Sequence, residues 1–148
     1  MSVGKKILIP TDGWNHAKKA IQWTSDLVSG NGAVVYLMHV VPLKRLSSPS
    51  GALWVPGEPQ TLIERMKQQG RRIVRQAEEE ARKRGIHAIK TVMAEGSPAD
   101  EILYFVKKNK IDMVVMGNHG AGALERFFLG SVSDKVNHLA ECICVTVK

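Results

Sequence analysis

Short unbroken apolar runs alternate along this chain with stretches whose apolar positions recur every three or four residues. Lys5 to Pro10 carries Ile7-Leu8-Ile9 and ends at Pro10, the pattern of a strand covered on both faces. From Asn15 to Ser29, Ala17, Ala20, Ile21, Thr24, Leu27 and Val28 make one helical stripe, stopped by Gly30 and Gly32. Ala33 to Val41 is a second apolar strand of high β-propensity. The spacing predicts a long helix from about Gln60 to Arg84, with Leu62, Ile63, Met66, Ile73, Val74, Ala77 and Ala81 inward and Gly85 closing it. His87 to Met93 reads as a third strand. Ser97 as N-cap and Pro98 at the first helical position open the next helix, with Ile102, Leu103 and Val106 inward. Ile111 to Met116 is a fourth buried strand. After a glycine-rich turn, Ser131 to Ala140 reads as a helix through Val132, Val136 and Leu139, and Ile143 to Val147 as a last strand.

Strands alternating with helices call for right-handed crossovers and a parallel sheet with helices on both faces. The expected class is α/β, a doubly wound five-stranded parallel sheet of order 3-2-1-4-5, built by residues 1–148 as one domain. That order sets strands one and four side by side where the connections diverge, and such a switch point opens a crevice for a ligand. The stretch Pro42 to Pro59 departs from the rhythm. Its four prolines, two glycines and three serines predict a long loop, read as a surface excursion with a lid over the ligand as the alternative.

Polar and glycine-rich residues collect after strands one and four. Pro10-Thr11-Asp12-Gly13 follows the first, and Gly117-Asn118-His119-Gly120-Ala121-Gly122 the fourth, with Gly130-Ser131-Val132-Ser133 at the expected start of a helix. Glycines let a backbone approach a phosphate closely, and the amides at a helix N-terminus, with the Ser131 and Ser133 hydroxyls, supply donors to its oxygens. A glycine turn that only reverses the chain is the plainer alternative. The spacing is neither the Walker A loop nor the dinucleotide fingerprint. Asp12 is the one carboxylate expected in the crevice, suited to ribose hydroxyls or to Mg2+ with waters, or else to capping the helix from Asn15.

The net charge of +7, from 21 Lys and Arg against 14 Asp and Glu, favours anionic ligands without choosing among them. Arg71, Arg72, Arg75, Arg82, Lys83 and Arg84 raise nucleic acid as a partner. The same helix carries Glu78, Glu79 and Glu80 and no interleaved aromatics, so it reads as a solvated face. Cys142 and Cys144 lie one residue apart on one strand and read as buried free thiols. No segment approaches the length of a membrane span, and Met-Ser-Val-Gly-Lys-Lys before a short apolar run does not read as a signal peptide, so the cytoplasm is the expected compartment.

Gly117-x2-Gly120-x9-Gly130-Ser131, preceded by Val114-Val115-Met116 and followed by Val132-Ser133, resembles the Gly-x2-Gly-x9-Gly-Ser/Thr signature of the nucleotide-binding branch of the universal stress protein family. The resemblance extends to Lys5 through Asp12, to His39-Val40-Val41, to Gly96-Ser97-Pro98-Ala99 and to the closing strand. It implies an ATP site with Mg2+: Pro10, Thr11 and Asp12 near the ribose and the metal-phosphate region, and Val40 against adenine. Met116, Gly117, His119 and Gly120 would run along the sugar and phosphates, and Gly130, Ser131, Val132 and Ser133 would hold the phosphates. It also implies a homodimer in which the strand Ile143 to Val147 pairs with its twin. Trp14 and Ile143 depart from the family pattern, the first at the pocket mouth and the second at the dimer edge.

Binding is better supported than turnover. Phosphoryl transfer wants a cationic clamp and a positioned base, and between Met116 and Ser133 only Arg126 is basic apart from His119. The expected function is an ATP-binding regulatory protein, at most a slow ATPase. The alternative is a nucleotide-free dimeric scaffold acting by protein contact. Enzymes of related fold would need His-x-Gly-His or Ser-Gly-Gly-x-Asp-Ser, and neither occurs.

Overall fold

A computed structural model describes residues 5–12, 15–43, 59–117 and 123–148, with side chains undescribed at 15, 16, 59–61 and 123–129. The elements run β1 (Lys6–Pro10), α1 (Asn15–Val28), β2 (Val34–Val41), α2 (Pro59–Lys83), β3 (Ile89–Glu95), α3 (Pro98–Asn109), β4 (Met113–Gly117), α4 (Ala123–Leu139) and β5 (Ile143–Val147). The five strands form one sheet in the order β3-β2-β1-β4-β5, and every pairing is parallel. The expected fold class and strand order are those observed.

Alternation along each strand divides the core in two. Ile7, Ile9, Val35, Leu37 and Val115 pack with Ala20 and Ile21 of α1 and Ala77 and Ala81 of α2. Leu8, Tyr36, Met38, Val40, Val114 and Met116 face the other way, onto Ala99, Ile102 and Val106 of α3 and Val136 of α4. A central strand with helices over both faces must be apolar at every position, which is why these runs show no alternation. Each fully buried aliphatic side chain contributes about 1.5–3 kcal/mol. Tyr36 meets Phe105 of α3 edge-on, with ring centroids 5.4 Å apart. Thr24, fully buried in α1, satisfies its hydroxyl by donating to the Ala20 carbonyl at 2.8 Å.

Several sequence expectations need correction. Leu27 and Leu139, placed on inward stripes, are 41% and 58% exposed in the last turns of their helices. Ser97 takes the extended N-cap conformation before Pro98, yet its side chain makes no capping hydrogen bond. The third strand starts at Ile89 rather than His87 and runs on to Glu95, in register with β2 through Val41. The largest difference concerns α4, which starts at Ala123 and not at Ser131. Ala123, Leu124, Glu125 and Arg126 are good helix formers, and a helix that continues through Gly130 loses only about 1 kcal/mol there. Of the expected loop, residues 44–58 lie outside the described residues, as do Gly13 and Trp14.

The basic face of α2 is partly neutralised within its own length. Arg82 donates to Glu78 at 2.9 Å and Arg84 to Glu80 at 2.7 Å, both pairs spaced one helical turn apart. Cys142 and Cys144 are free thiols, each partly exposed rather than buried. Among the described residues no helix is long and apolar enough to cross a membrane.

Candidate nucleotide site

In a parallel sheet all strands end on one side, and β1 and β4 are neighbours at its centre, where the connections diverge to opposite faces. β1 ends at Pro10, β2 at Val41 and β4 at Gly117. The amide of Thr11 still donates to the Met38 carbonyl at 2.8 Å, so the β1 ladder continues one residue past Pro10. Thr11 is buried and Asp12 half-buried.

Val40 and Met116, 8% and 3% exposed, belong to the cluster beneath α3 and α4, and the half-buried Val132 of α4 packs against it. The structure therefore brings Val40, Met116 and Val132 into one apolar wall. Thr11 and Asp12 stand at the same end of the sheet, with Gly117 buried at the end of β4. Val40 and Met116 are core residues beneath α3 and α4, and Thr11, Asp12 and Gly117 follow or end the two central strands on the same side of the sheet.

Of Gly130, Ser131, Val132 and Ser133, Val132 packs against this cluster, and all four are set differently from the expectation. They sit inside α4, so their amides are not those of a helix N-terminus, where N–H groups lack intrahelical partners. Ser133, 3% exposed, donates its hydroxyl back to the Gly130 carbonyl at 3.1 Å. Ser131 is on the exposed side of the helix. Among the described residues, a methyl group placed on Gly130 would meet nothing within 4 Å. His119 and Gly120 lie outside the described residues.

Among the described residues no cluster of three or more His, Cys, Asp and Glu could hold a metal ion. Asp12 nevertheless fits Mg2+, which takes one or two carboxylates and completes its shell with water and substrate phosphates.

One residue at this end of the sheet escaped the sequence reading. His39 points from β2 toward the β1 turn, and its Nδ1 lies 2.8 Å from the Thr11 carbonyl oxygen. A carbonyl only accepts, so Nδ1 carries the proton and donates. On its other side the ring lies against Gly70 in the middle of α2, where a Cβ would stand 2.7 Å from His39 Cδ2. The available signal was a pair of oddities: a histidine inside an otherwise apolar strand and a glycine inside a long helix.

A model of the universal stress protein family matches residues 4–148. The chain is 36% identical over 144 residues to the universal stress protein MJ0531 of Methanocaldococcus jannaschii, covering 97% of this chain and 82% of that protein. It is 32% identical over 146 residues to the universal stress protein YxiE of Bacillus subtilis, covering 97% and 98%. Among solved structures, the protein MJ0577 of Methanocaldococcus jannaschii superposes with a TM-score of 0.80 at 24% identity, over 99% of this chain and 97% of that one. The universal stress protein of Archaeoglobus fulgidus in complex with dAMP gives 0.71 at 18% identity, over 99% and 100%. An Arabidopsis thaliana family protein with AMP bound gives 0.68 at 20% identity, over 97% and 91%. At these identities the structural likeness is one of fold.

Proposed function

The chain belongs to the universal stress protein family, and from that premise we propose that it binds ATP or a related adenine nucleotide, with Mg2+, in the crevice between the carboxyl ends of β1 and β4. The observation that carries this reading is the adjacency of β1 and β4 at the point where the sheet reverses its strand order, with Thr11 and Asp12 after one strand and Gly117 at the end of the other. Nucleotide complexes of family members with dAMP and AMP support it. Adenine packs against Val40, with Met116 along the sugar. Pro10, Thr11 and Asp12 serve the ribose and the metal, and Gly117, His119 and Gly120 follow the sugar toward the phosphates. Gly130, Ser131, Val132 and Ser133 hold the phosphates. For the amides of Ser131 and Val132 to face those oxygens, the turns of α4 before Gly130 must open.

The protein acts as a nucleotide-dependent regulator with slow or no hydrolysis, since Arg126 is the one arginine or lysine between Met116 and Ser133. It works as a homodimer through β5. That strand is at the edge of the sheet with Ile143 58% exposed, and pairing with a twin covers both.

A specific observation favours a second reading, that of a nucleotide-free dimeric scaffold: α4 begins at Ala123, which leaves Ser131 inside a helix. Thermal unfolding with MgATP, AMP, GTP and no ligand separates the two. Nucleotide at about 100 times its dissociation constant stabilises the native state by about 2.7 kcal/mol, several degrees for a chain of this size. Gly130→Asp puts a carboxylate where no atom of the described residues lies within 4 Å of the new Cβ, so the fold should persist while like charge expels the phosphates. A rise with MgATP that is smaller for GTP and lost in Gly130→Asp is the expected result. No rise with any nucleotide leaves the scaffold in its place.

A further inference from the structure

The proposed nucleotide site rests on Thr11 and Asp12, the two residues that follow β1, and what holds Thr11 is not local. The Thr11 amide is fixed by the Met38 carbonyl, and the Thr11 carbonyl by the His39 imidazole, both at 2.8 Å. Thr11 is thus held at its amide and at its carbonyl by consecutive residues of β2, and the peptide that joins it to Asp12 is fixed at its oxygen.

The imidazole is itself seated. Gly70, buried in the middle of the 25-residue α2, has no room for a Cβ: it would lie 2.7 Å from His39 Cδ2, 3.2 Å from His39 Nε2 and 2.7 Å from Met93 Cε. A glycine inside a helix costs about 1 kcal/mol relative to alanine, a cost the chain accepts where the imidazole needs the space. Four elements meet at this ring: the β1 turn, β2, α2 and β3 through Met93.

We propose that His39 is a positioning residue of the nucleotide site, whose Nδ1–H fixes the Thr11 carbonyl and so sets the direction in which the Asp12 backbone and carboxylate enter the crevice, with Gly70 as the seat that holds the ring. The inference rests on the reading of the crevice as a nucleotide site. His39 touches no nucleotide in this arrangement. It acts through Thr11, and the contacts it governs are those of Asp12 with the ribose and the metal.

The test compares wild type with His39→Leu, which keeps volume and removes the donor, and His39→Asn, whose amide nitrogen stands where Nδ1 stood. MgATP affinity is read by calorimetry, and amide exchange of the 8–12 segment by mass spectrometry without nucleotide. The clamp predicts that His39→Leu binds MgATP about 5- to 10-fold more weakly, the worth of about one net hydrogen bond, and that exchange at Thr11 accelerates. His39→Asn should recover most of both. If wild type binds MgATP and His39→Leu binds equally well, the positioning role is overturned while the nucleotide reading stands. If Leu and Asn are impaired alike, the imidazole is a spacer and the donor role is overturned. If wild type binds no nucleotide, the proposed function fails along with the nucleotide half of this inference, and the exchange data alone decide whether His39 clamps the turn.

Discussion

Gly70→Ala sets two effects of opposite sign against each other. In an exposed helix interior, replacing glycine with alanine gains about 0.8–1.0 kcal/mol. Here the new methyl carbon would stand 2.7 Å from both His39 Cδ2 and Met93 Cε, about 1 Å inside the usual carbon–carbon contact of roughly 3.5–4.0 Å. Met93 is 39% exposed and ends in a flexible thioether, so it yields at little cost. The imidazole is fixed by its bond to the Thr11 carbonyl and yields only by lengthening that bond, a loss of about 1 kcal/mol net. Overpacking of this kind costs about 1–3 kcal/mol in all, so the clash exceeds the helical gain and the net effect is a loss of about 1 kcal/mol. Urea unfolding measures it directly, and the thermal midpoint should fall by about 2–4 °C. The decisive arm is the double mutant. In a His39→Ala background the ring is gone, so Gly70→Ala should become stabilising, with a coupling of about 1–2 kcal/mol between the positions. A single Gly70→Ala variant more stable than wild type by the full helical gain would refute this account of the seat.

Other outcomes follow from single features. Lys110 ends α3 at φ 54°, ψ 55°, a left-handed conformation that disfavours side chains, so Lys110→Gly should raise stability by about 0.5–1 kcal/mol in urea unfolding. A loss of stability would show that the lysine side chain outweighs the backbone strain. The Cys142 thiol is pushed up to about 11 by burial and then by the neighbouring Cys144, so at pH 8 its thiolate population falls about 100-fold below that of an ordinary thiol. Alkylation by iodoacetamide should be correspondingly slow in the native protein and rapid in urea, and equal rates would contradict it. Because the folded value lies above the unfolded one, this contribution to stability is complete below about pH 9 and is lost as pH rises through about 11.

The strands and helices were legible because burial on both faces of a parallel sheet imposes a pattern that few other structures share. Ile7-Leu8-Ile9, Val34 to Val41 and Val114-Val115-Met116 read as strands before any contact is known, since each residue faces a helix on one side or the other. The alternation of elements and the handedness of their crossovers called for a parallel doubly wound sheet, which sets Thr11, Asp12 and Gly117 at one end, while the adjacency of β1 and β4 in the order β3-β2-β1-β4-β5 is decided by the tertiary structure. What tertiary structure alone decided are matters of competition and of distance. Whether α4 starts at Ala123 or Ser131 depends on a balance of about 1 kcal/mol at Gly130 against the bonds gained by a longer helix, a margin too small for sequence pattern to resolve. Leu27 and Leu139 fit their stripes and lie exposed, because periodicity tells which face of a helix is apolar but not which of its positions a neighbouring element covers. His39 and Gly70 are 31 residues apart, 70 minus 39, and each is an anomaly in its own element. Only the packing of α2 on β2 brings them into contact and gives both a reason.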